Sequence, residues 1–302
     1  MIASMKRLAA EMTGNKPRIL MDLSDCPNDV LFEIFLRSSY LTVVRSSLVC
    51  RQWNSIIYNH RFWFQTLKKD KSLRHITLEQ LSQIEIHYLQ RTIAMKAFER
   101  NLINDNFFIE EPKFDIRWSD CHSNRRRARE WKVESPPKFL EPQRQGALAL
   151  DQCDLPFESC MVSSYSECVR WISVNLCEYG LTVEFLNKYK PTIVITEYYT
   201  NRADCGCTYN IETLLRDSDK PDLMSDPDNR RIVAFEDTID QWQDQFWRKA
   251  EIVYDNYPDG AHIVDIVTRG KDRQFWAGNY GSKVAGTSII VKFDFNKNSN
   301  MN

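Results

Sequence analysis

The spacing of apolar residues changes once along this chain, and the change limits the folds open to it. Up to about residue 100 they recur three or four apart. Leu31/Phe35, Leu41/Val44/Leu48 and Val49/Trp53/Ile57 each fall on one helix face. Beyond Phe107 the pattern becomes short β-prone runs between polar, Gly or Pro punctuation, at 192–199, 209–215, 232–235, 249–254, 262–269 and 288–293. The 261–267 run is read as a strand of alternating apolar and polar residues. Many short strands separated by turns predict an antiparallel sandwich or barrel. With 302 residues there is room for a small helical domain and one full-sized domain. The fold expected is therefore α+β and multidomain, all-α at the N-terminus and an antiparallel β-sandwich at the C-terminus.

The helical part is most specific at 23–63. Leu23 and Cys26-Pro27 lead, the Val30-Leu31 and Ile34-Phe35 face follows, then Val49-Cys50-Arg51-Gln52-Trp53 and a late Phe62-Trp63. This order of residues resembles an F-box. The resemblance implies docking to a Skp-family adaptor within a cullin–RING ubiquitin ligase. Leu23, Pro27, Val30, Leu31, Ile34, Val49 and Trp53 are the candidates for an apolar surface shared between the module's own core and that adaptor. After it, residues 67–100 read as a rigid helical connector, with Thr77 and Gln80 spaced as a capping box. The expected divisions are a leader at 1–20, the F-box at 21–66, the linker at 67–100, a recognition domain at 101–296 and a tail at 297–302.

The second half carries its own landmarks. They include Trp131-Lys132-Val133-Glu134, Ser163-Ser164-Tyr165-Ser166-Glu167-Cys168 and Arg202-Ala203-Asp204-Cys205-Gly206-Cys207. Near the end comes Gly270-Lys271-Asp272-Arg273-Gln274-Phe275-Trp276-Ala277-Gly278. The series resembles the F-box-associated domain of the glycoprotein-recognising F-box proteins. That resemblance implies a galactose-binding-like jelly roll whose loops grip the chitobiose core of N-linked high-mannose glycans. It also implies a cytoplasmic ligase that removes misfolded glycoproteins returned from the endoplasmic reticulum. Carried over by position, the grip falls on Tyr165, Asp204, Phe275, Trp276 and Ala277. An aromatic ring can lie on the C–H face of a pyranose, and an ionised carboxylate accepts strong hydrogen bonds from hydroxyl or acetamide groups.

This chain departs from the family pattern at several of these positions. Tyr165 replaces Phe and Phe275 replaces Tyr. Ala277 stands in place of Lys, and Asn279 in place of a second Trp. Losing a Lys removes three donors, and two or three lost hydrogen bonds weaken a sugar site by about a hundredfold. Recognition of a polypeptide degron without sugar is therefore the alternative. Each residue also has a structural alternative: Trp276 as a plug at the end of the sandwich, Asp204 as a cap on the Cys205-Gly206 turn, Tyr165 on a helix packed against the sheet. Trp131, Trp171, Trp242 and Trp247 are read as core.

Composition narrows the remaining classes. Forty basic and forty-one acidic residues nearly cancel, so no global field favours nucleic acid or an anionic membrane. The Arg125-Arg126-Arg127 run with Arg129 lacks interleaved aromatics and reads as a solvated loop, as do Pro136-Pro137 and 226–229. No apolar run reaches membrane-spanning length, and residues 1–16 lack a signal-peptide pattern. Nine cysteines without framework spacing suggest reduced thiols, and Cys205-Gly206-Cys207 lacks the second pair a zinc site needs. The five histidines fit no metal motif, and no nucleophile elbow or phosphate-binding loop appears. No enzyme activity, cofactor or metal is expected of this chain.

Overall fold

The structure, a computed structural model, describes residues 26–103, 131–135, 137, 157–218, 232–243 and 246–294. Leu23, the 1–20 leader, the Arg125–Arg129 basic run, Pro136, the 226–229 loop and the 297–302 tail lie outside the described residues. The described residues fall into two compact units, one helical and one built of strands.

The helical unit contains α1 (Asn28–Leu36), α2 (Tyr40–Ser46), α3 (Arg51–Ile57), α4 (His60–Leu67), α5 (Leu78–Ser82) and α6 (Ile86–Ala94). Pro27 immediately precedes α1, where no intrahelical hydrogen bond is asked of its nitrogen. Helix starts are satisfied locally: the Ser39 hydroxyl accepts the Thr42 N–H, and Asn59 Oδ1 accepts the Arg61 N–H. The expected capping box forms, with Gln80 N–H to Thr77 Oγ1 at 3.2 Å and Thr77 N–H to Gln80 Oε1 at 2.8 Å. Leu31, Ile34 and Phe35 of α1 meet Trp53, Ile56 and Ile57 of α3 and Phe62, Trp63 and Leu67 of α4 in an apolar core. Phe35 and Trp53 pack edge to face at 5.3 Å, and the buried Trp63 indole donates to the Ile57 carbonyl at 2.8 Å.

Two predicted faces are corrected. Leu41, Leu48 and Val49 are 63%, 84% and 52% exposed, and the buried residues of α2 are Val43 and Ser46. The helix stops early because the Ser46 and Ser47 hydroxyls back-bond to the Thr42 and Val44 carbonyls, both at 2.7 Å. Leu48 and Val49 therefore sit between helices, and Val49 shares no face with Trp53.

The second unit is a sandwich of two antiparallel sheets. Its strands are β1 (Lys132–Glu134), β2 (Cys160–Val162), β3 (Cys168–Asn175), β4 (Ile193–Thr200), β5 (Cys207–Arg216), β6 (Val233–Ile239), β7 (Arg248–Tyr254), β8 (Ile263–Asp272) and β9 (Lys283–Val291), with helix α7 (Val183–Tyr189) before β4. One sheet runs β1-β2-β9-β4-β7 and the other β3-β8-β5-β6. Between them lies a polar knot. Arg170 of β3 is paired with Glu197 of β4, whose carboxylate also accepts from Tyr209 of β5 (3.0 Å), Thr268 of β8 (3.0 Å) and Thr287 of β9 (2.6 Å). Burial, then the adjacent Glu197 charge, raises the Tyr209 hydroxyl pKa well above its ordinary value. Tyr199 stacks on Tyr209 with centroids 4.1 Å apart. β9 carries one extra residue against β4, and Gly286 there has φ +59°. A Cβ at that position would stand 2.9 Å from the Phe157 ring.

This arrangement explains what the periodicity concealed. β3 holds an Arg on its inward face, so its apolar alternation is broken at Arg170, while its neighbour Trp171 points outward and is 38% exposed, not core. β1 and β2 are three residues each, too short to leave a pattern. In β8 the expected alternation of buried and exposed residues is absent, since Val264 through Thr268 are all buried. Asp265, on the outer face, is covered by Arg216 (2.6 Å) and Ser173 (2.7 Å), and its neighbour Val267 packs on Leu214 with Val169 and Ile232.

Candidate functional site

Strand register gathers four loops at one end of the sandwich. Val162 and Thr200 both pair with Lys283, Cys168 pairs with Gly270, Cys207 pairs with Asp272 and Ile239, and Tyr199 pairs with Arg248. The loops that begin at 163, 201, 240 and 273 therefore emerge together. Backbone bonds tie them: Asp272 N–H to the Ser164 carbonyl (2.8 Å), Gly281 N–H to the Ser163 carbonyl (3.0 Å), Arg273 N–H to the Gly206 carbonyl (2.9 Å) and Trp242 N–H to the Ala203 carbonyl (2.7 Å). Gly206 permits one close approach, because a Cβ there would stand 2.8 Å from the Ile239 carbonyl oxygen.

The aromatic loop is held from beneath. Asp272, fully buried at the end of β8, accepts the Phe275 N–H at 2.6 Å. Burial pushes its carboxyl pKa up, opposed by the backbone N–H groups of Phe275, Trp276 and Gln274. Gln274 Oε1 accepts the Gly206 N–H at 2.7 Å and the Cys205 thiol at 3.1 Å. Burial pushes the Cys205 thiol to about 12. On this support Phe275, with φ +58°, is 73% exposed and Trp276 is 39% exposed. Trp276 meets Tyr280 edge to face at 6.0 Å, and the Arg202 guanidinium lies 4.8 Å over the Tyr280 ring. Arg202 also clasps Asp204 through two bonds of 2.7 and 3.0 Å.

The residues picked from sequence thus come together in part. Asp204, Phe275, Trp276 and the exposed Ala277 share the loop cluster. Asp204 is not a cap for the Cys205-Gly206 turn. Two of the roughly four lone-pair sites on its carboxylate are engaged by Arg202. Trp276 is not a buried plug. Tyr165 is half-buried in the loop after β2, not on a helix. Asn279 Nδ2 donates to the Val162 carbonyl at 3.1 Å. Trp242, read as core, is 58% exposed with φ +64°. Sequence reading passed over Arg202, Asp272, Gln274 and Tyr280. Arg202 and Asp272 were nonetheless visible, as charged residues inside the 202–207 and 270–278 landmarks.

On the helical unit, the candidate docking residues divide by burial. Leu31, Ile34 and Trp53 belong to the core, Val30 is half-buried, and Pro27 and Val49 are exposed beside Leu41 and Leu48. The described cysteines are all free thiols, with Cys205 and Cys207 buried as the strand reading expected. Among the described residues, no group of three or more His, Cys, Asp or Glu is placed to hold a metal ion, and no helix is long and apolar enough to cross a membrane.

Comparison with known proteins places both halves. Residues 23–65 match the F-box domain model and residues 93–291 match the model of the F-box associated region. The chain is 31% identical to F-box only protein 6 of Rattus norvegicus over 288 residues, which cover 92% of this chain and 90% of the relative. It is 28% identical to the Homo sapiens F-box only protein 6, with 92% and 87% covered. F-box only protein 27 of Mus musculus is 26% identical, with 91% and 93% covered. A solved carbohydrate-binding module in complex with beta-1,4-galactotriose aligns with 64% of this chain and 99% of its own, at 10% identity and a TM-score of 0.33, a likeness that carries no argument. Among the described residues, helices between 28 and 67 and antiparallel sheets within the second match agree with both models. The chain belongs to the F-box proteins that carry an F-box associated region.

Proposed function

We propose that this protein is the substrate receptor of a Skp–cullin–F-box ubiquitin ligase that takes N-glycosylated protein at the loop end of its sandwich. The helical unit docks the Skp-family adaptor through exposed Pro27, Leu48 and Val49 with half-buried Val30, joined by Leu23. Leu31, Ile34 and Trp53 support that surface from the core. The chain performs no chemistry of its own. Ubiquitin transfer belongs to the associated ligase subunits, and the receptor supplies proximity and orientation. The cargo is a misfolded glycoprotein bearing high-mannose glycan, met in the cytoplasm and passed to endoplasmic-reticulum-associated degradation.

The observation that carries the sugar reading is the exposed Phe275-Trp276 pair on a loop fixed by Asp272 and Gln274, beside the Arg202–Asp204 pair. A pyranose offers an apolar face to such rings and hydroxyls to such polar groups. The test is a calorimetric titration of the chain with a high-mannose glycan containing its chitobiose core, alongside Trp276→Ala. Heat that disappears in the variant supports the reading. No heat from a well-folded wild type ends it.

A second reading has its own support. Arg202 already engages Asp204, and Ala277 offers no side-chain donor. Both favour a cargo recognised through polypeptide alone. Capture of a substrate equally well before and after enzymatic deglycosylation would select it.

A further inference from the structure

Trp242 is out of place for a core residue. It sits in the loop after β6, 58% exposed, in the left-handed region at φ +64°, which a bulky side chain rarely adopts. The backbone is nevertheless pinned there. The Trp242 N–H donates to the Ala203 carbonyl at 2.7 Å, and the preceding Gln241 side chain donates to the Asp204 carbonyl at 2.8 Å. Asp240, two residues before Trp242, pairs with Arg273 at the start of the aromatic loop. A strained aromatic held in solvent by three ties to neighbouring loops is a feature of ligand sites, where surrounding structure over-determines an unfavourable conformation.

A chain of contacts links its backbone to the proposed sugar grip. Trp276 touches Tyr280, Tyr280 lies under Arg202, Arg202 holds Asp204, and the Ala203–Asp204 backbone holds the Gln241–Trp242 segment. The two exposed indoles thus stand on neighbouring loops, linked through a guanidinium, a carboxylate and a primary amide. Alternating ring faces and polar groups match the alternating C–H faces and hydroxyl edges of consecutive sugars. We infer that Trp242 is a second carbohydrate platform, which receives a sugar beyond the pair seated at Phe275 and Trp276. This rests on the glycan reading above and extends it from a two-sugar grip to a longer one.

The two claims separate in one experiment on the full-length chain. Affinities for di-N-acetylchitobiose and for a high-mannose oligosaccharide containing it are measured for wild type, Trp242→Asn, Trp242→Phe and Trp276→Ala. Asn tolerates the left-handed conformation and removes the ring, whereas Phe retains a ring. The expected result is that Trp242→Asn weakens the long glycan about tenfold while the disaccharide stays within about twofold, that Phe restores most of the loss, and that Trp276→Ala weakens both ligands. Equal losses for both ligands in Trp242→Asn, or no loss for either, overturns the inference and leaves the glycan reading standing. Competition by an unglycosylated polypeptide that depends on Trp242 also overturns it. Failure of the wild type to bind either sugar ends the glycan reading and this inference together.

Discussion

The two units solve the same problem with opposite materials. The helical unit is centred on apolar side chains, Leu31, Phe35, Trp53 and Trp63 among them. The sandwich encloses an ion pair, Arg170 with Glu197, and gives each charge hydroxyl partners from β8 and β9. Apolar packing tolerates loss of one contact at the cost of a cavity. A buried ion pair does not tolerate loss of one partner, because the survivor remains charged in a place without water. The same contrast appears at the surface. The helical unit exposes flat aliphatic residues, Leu48 and Val49, whereas the sandwich exposes rings interleaved with charged groups.

The contrast can be broken most forcefully at Glu197. Glu197→Ala should cost about 3–5 kcal/mol by denaturant titration, whereas replacing the Arg170–Glu197 pair together with Met and Leu should cost far less. A small loss in the single variant would remove the knot from its central place. In the helical unit, Leu31→Ala should cost about 2–5 kcal/mol through a cavity, with no double replacement needed to explain it. Alkaline pH should separate the units next. Burial raises the Cys160 and Cys205 thiols from 9.0 to about 12, so the unfolded chain releases those protons first. Sandwich stability should therefore be complete below pH 9 and fall as pH rises toward 12. Cys160→Ser and Cys205→Ser should each flatten that slope. The smallest stability effect is expected at the docking surface, where Leu48→Ser with Val49→Ser should stay within about 0.5 kcal/mol. That variant should still fail to co-purify the adaptor; retained adaptor would move the docking surface elsewhere.

The difference in materials also decided what could be read from sequence. The apolar core at Leu31, Ile34 and Phe35 and the Thr77–Gln80 capping box were legible because helix period and capping are local. The last six strands were legible, with ends displaced by a few residues, because their β-branched runs are long. β3 was not, since an inward Arg170 satisfied by residues up to 117 positions away looks like an exposed charge until the partners are known. At the loop end, aromatic residues announced themselves. Their support at Asp272 and Gln274 did not, because a carboxylate that accepts backbone N–H groups has no distinctive spacing. Trp171 and Trp242 were misread as core for a related reason: size and apolarity do not say which side of a strand or loop a residue takes.

The strand knot has one more consequence. Among the described residues, every group that satisfies Glu197 lies within a strand, on β3, β5, β8 or β9, and none lies in the four loops that emerge together at one end of the sandwich. The loops therefore form a socket that can be exchanged while the foundation stays put. Replacing 273–281 with a segment of the same length that keeps the Asp272 anchor amounts to a change of address on the receptor. The foundation is in this sense indifferent to the chemistry its loops present.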